Sequence, residues 1–189
     1  MWLGYGYLLG MLTTTVFMRL LPVAGVDLLM GVLGLSAFIG LAVTRRLALA
    51  DVGYAATVLT SWQRVIFGLL LLLLLVRYGN LGYELWLRPL TPWDAWTTWG
   101  LRARVWTELG ERVPFVSPTE WLRIGDDEVY TTFAWHYPET VSLIQSWTAS
   151  AWGSWHAGAA NLPWLGAALA LALGLSGQAR RAGVSPLCA

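Results

Sequence analysis

The chain has 189 residues, of which 57% are hydrophobic and only 12% charged, against about 25% charged in an ordinary soluble domain. That balance and a mean hydropathy of +0.56 point to a membrane protein, and a net charge of +1 argues against a nucleic-acid partner. The single cysteine, Cys188, excludes an internal disulfide and a cysteine-based metal centre.

The first apolar span runs from Trp2 to Leu21, with Arg19 at its far end, where the stem can reach back to water. It lacks the basic start and small-residue cleavage site of a secretory signal. Gly4, Gly6 and Gly10 give it a small face suited to close helix packing in lipid. Residues 22–27 read as a tight turn. A second span follows over about 26–43, closed by Arg45 and Arg46. The stretch 47–61 is ambiguous, an interfacial helix being one reading. The leucine-rich run 65–76 is too short alone for the ~20 residues a crossing needs, and flanking residues 61–64 and 77–78 extend it into a third span. A fourth starts near Asn161, with Leu162 to Leu175 apolar before Arg180 and Arg181.

These spans predict an all-α membrane protein of about four transmembrane helices. Residues 1–79 form three of them, 80–160 a long extracytoplasmic loop with interfacial helices, and 161–189 the fourth helix and a cytoplasmic end. Arg45, Arg46 and Arg64 between spans two and three, and Arg180 and Arg181 after span four, lie on one side if four crossings hold. Basic residues of short loops favour the cytoplasm, so both termini are expected inside and the long segment outside. Nine of the eleven acidic residues fall between 80 and 160, as do most tryptophans, which marks this segment as the one that meets water and lipid headgroups. A connection of that length is functional or disordered, and its tryptophan content argues against disorder. No nucleotide-binding glycine motif, zinc-protease motif or cysteine pair occurs.

Within it, Trp93, Trp96, Trp99 or Gly100, Ala103 and Trp106 recur at three and four residues, which predicts a helix over 93–109 with one apolar stripe. Thr91-Pro92 supplies its start. The helix is expected to lie flat on the membrane, its arginines facing water or phosphate. Asp94 falls in the first turn, where a carboxylate suits the helix dipole. It can be read as no more than that, or as an acid partly shielded by indoles, with a raised pKa fit for proton abstraction. Arg102 and Arg104 could meet lipid headgroups generally, or clamp the phosphate of a lipid-linked substrate. Asp126-Asp127-Glu128 offers carboxylates to a hard cation, but such a run in a loop reads first as a solvated surface, and no metal is assigned. His136-Tyr137-Pro138-Glu139 precedes a predicted apolar helix from Thr140 to Trp152, with Glu139 in its first turn and His136 either a second acid/base group or an interfacial aromatic. His156 shows no partner in the sequence. Asn161-Leu162-Pro163-Trp164 begins span four.

The order Pro-Leu-Thr-Pro-Trp-Asp-Ala-Trp (89–96), Arg-Ala-Arg-Val-Trp (102–106), Pro-Phe-Val-Ser-Pro (114–118), His-Tyr-Pro-Glu-Thr-Val-Ser-Leu-Ile-Gln-Ser-Trp (136–147) and Asn-Leu-Pro-Trp (161–164) resembles bacterial GT-C-type integral-membrane glycosyltransferases, similar to the protein O-mannosyltransferase and aminoarabinose-transferase groups. The resemblance covers about 87–164. It implies sugar transfer from a polyprenyl-phosphate donor to an extracytoplasmic acceptor at the bacterial inner membrane; no cofactor is assigned, and a divalent metal stays open. Asp94 matches the essential acid of the first outer loop. Arg102 and Arg104 would touch the donor phosphate, and Trp93, Trp96, His136, Tyr137 and Glu139 would line the substrate site. Such enzymes carry many more spans than four, so the resemblance also predicts an N-terminal fragment. The competing expectation is a non-catalytic membrane protein, a transporter or assembly subunit, whose tryptophan-rich loop binds lipid or a partner. The scarcity of charge in the span centres argues against a transporter.

Overall fold

The computed structural model describes residues 2–22, 27–29, 31–36, 59–87, 93–125 and 128–184. Its named elements are all helical: α1 (Trp2–Leu20), α2 (Ser61–Leu87), a π-helical segment (Ala95–Gly100) running directly into α3 (Leu101–Leu109), α4 (Pro118–Ile124), α5 (Thr140–Trp152) and α6 (Ala157–Arg181). Residues 27–29 and 31–36 are helical as well. Among the described residues there is no strand, only an isolated parallel bridge between Phe115 and Tyr130.

α6 is the axis of the fold, and α1, α2 and α5 all pack against it. Small residues set the spacing. A Cβ on Gly4 would collide with the carbonyl of Ala170, and one on Gly166 with the Tyr7 hydroxyl, so the two backbones meet at close range. Gly4 lies at Ala170 and Gly174 while Tyr7 bonds to Pro163, so α1 runs antiparallel to α6. α2 does the same: Tyr78 bonds to the Leu165 carbonyl, Gly82 meets the Leu165 side chain, and Trp86 lies at Gly158. Positions 78, 82 and 86 form one stripe at four-residue spacing.

Among the described residues two helices, α2 and α6, are long and apolar enough to cross a membrane. α1 matches the first predicted span in extent but is not one of these two, its three glycines and three threonines lowering its apolarity. Part of the second predicted span (residues 26, 30 and 37–43) and most of the ambiguous stretch (47–58) lie outside the described residues. α2 continues through Leu87, nine residues past the predicted end at Tyr78, because Tyr78, Gly82 and Trp86 dock on α6, and Arg77, Asn80 and Glu84 stay within the helix. The expected boundaries at 79/80 and 160/161 therefore fall inside α2 and α6. None of the residues of α2 is buried, so its leucines face outward along the whole run, as in a helix bathed in an apolar medium.

The C-terminal ends of α1 and α2 and the start of α6 meet at one end, and the segment between α2 and α6 folds there into a head. Its core is Met18, Trp106, Val113 and Leu143, with Phe17, Val105, Phe115, Tyr130 and Trp147 packed around them. α5 occupies the predicted span Thr140–Trp152 and ends at Gly153, whose φ of 91° suits only glycine at low cost. It is wedged between α3, α6 and α1. Trp106 Nε1 donates to the Val113 carbonyl at 2.9 Å, and Trp147 Nε1 donates to Asp27 Oδ1 at 2.8 Å, so both core indoles satisfy their polar edge.

Candidate functional site

Residues 93–109 are helical, as the spacing predicts, but the middle of the helix is wider than α. The π-helical stretch Ala95–Gly100 carries one more residue per turn than α-helical spacing would, and such segments are frequent at functional positions. Ser142, wholly buried on α5, donates its hydroxyl to the Trp99 carbonyl at 3.0 Å, so a side chain enters where the ladder is disturbed. Thr97 Oγ1 returns to the Trp93 carbonyl at 2.6 Å. Thr98 is buried with its hydroxyl unpartnered.

Asp94 stands at the N-cap of the π-segment with helical dihedrals and forms no side-chain cap. Its carboxylate is exposed, with no hydrogen bond or ion pair among the described residues. Trp93 and Trp96 flank it as an edge-to-face pair, centroids 5.6 Å apart, and are 66% and 51% exposed. The expected shielding by indoles is therefore replaced by an open arrangement, in which an exposed acid and an exposed pair of indoles stand on the same turn. Thr91 and Pro92, expected to start the helix, lie outside the described residues.

The two arginines separate. Arg102 is 1% exposed. Its Nη2 donates to the Trp135 carbonyl at 2.7 Å and Nη1 to the Tyr137 carbonyl at 3.1 Å, and the guanidinium lies 5.0 Å from the Phe115 ring and 6.0 Å from that of Trp106. Its Nε is buried without a partner. Burial lowers its pKa, and the nearby charge of Glu139 opposes the shift. The expectation that both arginines face water or phosphate fails for Arg102. The π-segment shifts the phase of the helix, and the guanidinium fork is taken by two carbonyls of the 133–137 turn. Arg104 points to solvent and pairs with Glu108 one turn on, Nε to Oε1 2.7 Å.

Arg102 thus brings His136, Tyr137 and Glu139 beside the helix that carries Asp94. The Tyr137 ring lies 6.1 Å from that of Trp99. His136 is exposed, edge-on to Trp135 and Tyr137. Glu139 is the N-cap of α5 without a cap bond, and its carboxylate sits 4.0 Å from Arg19. Asp94 is eight residues upstream of Arg102, and no hydrogen bond or ion pair joins it to the His136 turn among the described residues.

His156 has the partners its sequence neighbourhood did not reveal. Its Nδ1 accepts from the Ala159 backbone N–H at 3.0 Å and caps α6, while its ring stacks on Trp86 with centroids 4.8 Å apart. Serine, threonine, aspartate and asparagine dominate that position, so no residue-type signal marked it. Among the described residues, a cavity of about 280 Å³ lies at the end of α1, bordered by Trp106 and Leu143, and an apolar one of about 200 Å³ lies between Tyr7, Thr14, Ile144 and Trp147. Among the described residues no group of three acids, histidines or cysteines could hold a metal. Asp126 and Asp127 of the acidic run lie outside them.

Comparison with known proteins returns no matching family model, no matching curated protein and no matching solved structure.

Proposed function

We propose that the chain is a membrane glycosyltransferase, or part of one, that moves a sugar from a polyprenyl-phosphate donor to an acceptor hydroxyl outside a bacterial inner membrane. In this reading the protein crosses the membrane several times and the head built from α3, α4 and α5 is extracytoplasmic. The observation that carries it is Asp94: an exposed carboxylate with no partner among the described residues, at the N-cap of the π-helical segment and on the same turn as two exposed tryptophans, at the end of the bundle where α2 and α6 meet the head.

The chemistry would run as follows. Asp94 takes the proton of the acceptor hydroxyl, the oxygen attacks the anomeric carbon, and the bond to the lipid phosphate breaks with its electron pair going to the phosphate. Trp93 and Trp96 offer ring faces to the sugar. Arg104, exposed one helix turn beyond the π-segment, can leave Glu108 for the departing phosphate at little cost, since an exposed ion pair contributes only ~0–1 kcal/mol. Arg102 acts differently from the expectation: it holds the turn that carries His136 and Tyr137. The test is transfer of label from polyprenyl-phosphate-linked sugars by the protein in its own membrane. Asp94→Asn should abolish transfer while insertion and helix content stay unchanged, and normal transfer by that variant would sink the assignment.

A second reading, a non-catalytic membrane protein whose aromatic head binds lipid or a partner, is favoured by one observation. Arg102, one of the two arginines expected at the donor phosphate, is committed to the fold. Under it, Asp94→Asn leaves every function of the protein intact.

A further inference from the structure

The 280 Å³ cavity lies where α1 ends, between that helix, α5 and the loop that follows α3. Its floor is apolar, made by Met18, Leu21, Trp106 and Leu143, and two adjacent charged residues, Glu111 and Arg112, border it. The size is just below the ~300 Å³ at which small-ligand sites begin, which fits a headgroup rather than a whole lipid. Arg112 donates from Nη1 to the Met18 carbonyl at 3.2 Å, which pins the loop over the end of α1. A guanidinium has five N–H donors, and among the described residues those left over have no other partner. The Glu111 carboxylate makes no hydrogen bond or ion pair among the described residues.

An apolar edge adjoins this pair. Leu20 and Leu21, at the end of α1, are both exposed, and Leu21 is part of the cavity wall. Apolar flank, cavity, then one positive and one negative side chain is the layout of an amphiphile whose head carries both charges.

We infer that the cavity holds the headgroup of a zwitterionic aminophospholipid. The phosphate lies against Arg112 and the primary ammonium against Glu111, and an acyl chain leaves the cavity past Leu21 and Leu20. The charge pattern selects this class. A purely anionic headgroup would meet Glu111 without a compensating cation, and a choline headgroup carries a positive charge with no N–H to donate. The inference rests on the membrane reading and not on sugar transfer, so its outcome is independent of Asp94.

The experiment is native mass spectrometry of the protein released from nanodiscs made with equal parts of phosphatidylethanolamine, phosphatidylcholine and phosphatidylglycerol. Retained phosphatidylethanolamine should exceed phosphatidylcholine by about tenfold or more, the lower end of the scale of one charge-assisted hydrogen bond. Glu111→Gln should erase that preference, and Arg112→Gln should lower retention of all three lipids. Equal retention of the amine and choline lipids, a preference for phosphatidylglycerol, or an undiminished preference in Glu111→Gln would overturn the proposal. If Arg112→Gln fails to fold because the Met18 contact is lost, Glu111→Gln decides alone, since its side chain supports no part of the fold.

Discussion

Tyr7 on α1 and Tyr78 on α2 donate to carbonyls on the same turn of α6, those of Pro163 and Leu165. Pro163 lies inside that helix and has no N–H to give back to the carbonyl four residues earlier. The two hydroxyls brace the helix beside this weak point from two sides, and neither flanking helix touches the turn by apolar packing alone. Tyr7→Phe and Tyr78→Phe should each lower stability by about 0.5–1.5 kcal/mol, the range of a net side-chain hydrogen bond. The double variant should depart from the sum, because both bonds support one turn. Unfolding in mixed micelles measures this, and strict additivity would show that the two contacts act independently.

The glycines of α1 divide by the same criterion of distance. Gly4 meets the α6 backbone, whereas Gly10 has nothing near the place its Cβ would occupy. Gly4→Ala should therefore push α1 from α6 and cost about 1–3 kcal/mol. Gly10→Ala should be neutral or stabilising by up to about 1 kcal/mol through helix propensity. Thermal unfolding of the two variants side by side checks the contrast, and an equal loss in both would mean that backbone proximity is not what holds the pair together.

Arg102 and Arg104 sit two residues apart and should respond in opposite ways. Arg102→Met removes two hydrogen bonds from a charged group and leaves two carbonyls unsatisfied, a loss of about 2–4 kcal/mol. Arg102→Lys should recover little of it, since an ammonium cannot span both carbonyls while stacked against Phe115. Arg104→Ala should stay within about 0.5 kcal/mol of the parent. Tryptophan fluorescence during chemical unfolding reports on the core through Trp106, and a lysine variant as stable as the parent would show that one bond suffices.

What could be read in the residues follows from what each signal measures. α5 was legible to both ends because a proline and an acid precede Thr140 and a glycine follows Trp152, and both are local stops. The extent of α1 was legible for the same kind of reason. The end of α2 was not: hydropathy drops at Arg77, whereas the helix continues because Tyr78, Gly82 and Trp86 dock on α6, a tertiary contact that no local window contains. Asp94 could be placed on the helix of residues 93–109 by pattern alone. The burial of Arg102 could not, because its two acceptors lie 33 and 35 residues away and an arginine reads as surface by type. His156 as a helix cap was hidden likewise by its residue type.

The π-segment ties these observations together in a different sense. Trp93, Asp94 and Trp96 belong to the same continuous helix as Ala103 and Trp106, yet the upstream residues face outward and the downstream ones face the core. A single residue more or less in an α-helix turns everything beyond it by about 100°. The direction in which Asp94 looks is therefore set by counting, through the length of the stretch between Ala95 and Gly100, and not by any bond to its own side chain. A point substitution there would leave its aim intact, whereas a one-residue deletion would swing it toward a different face with α3 still docked.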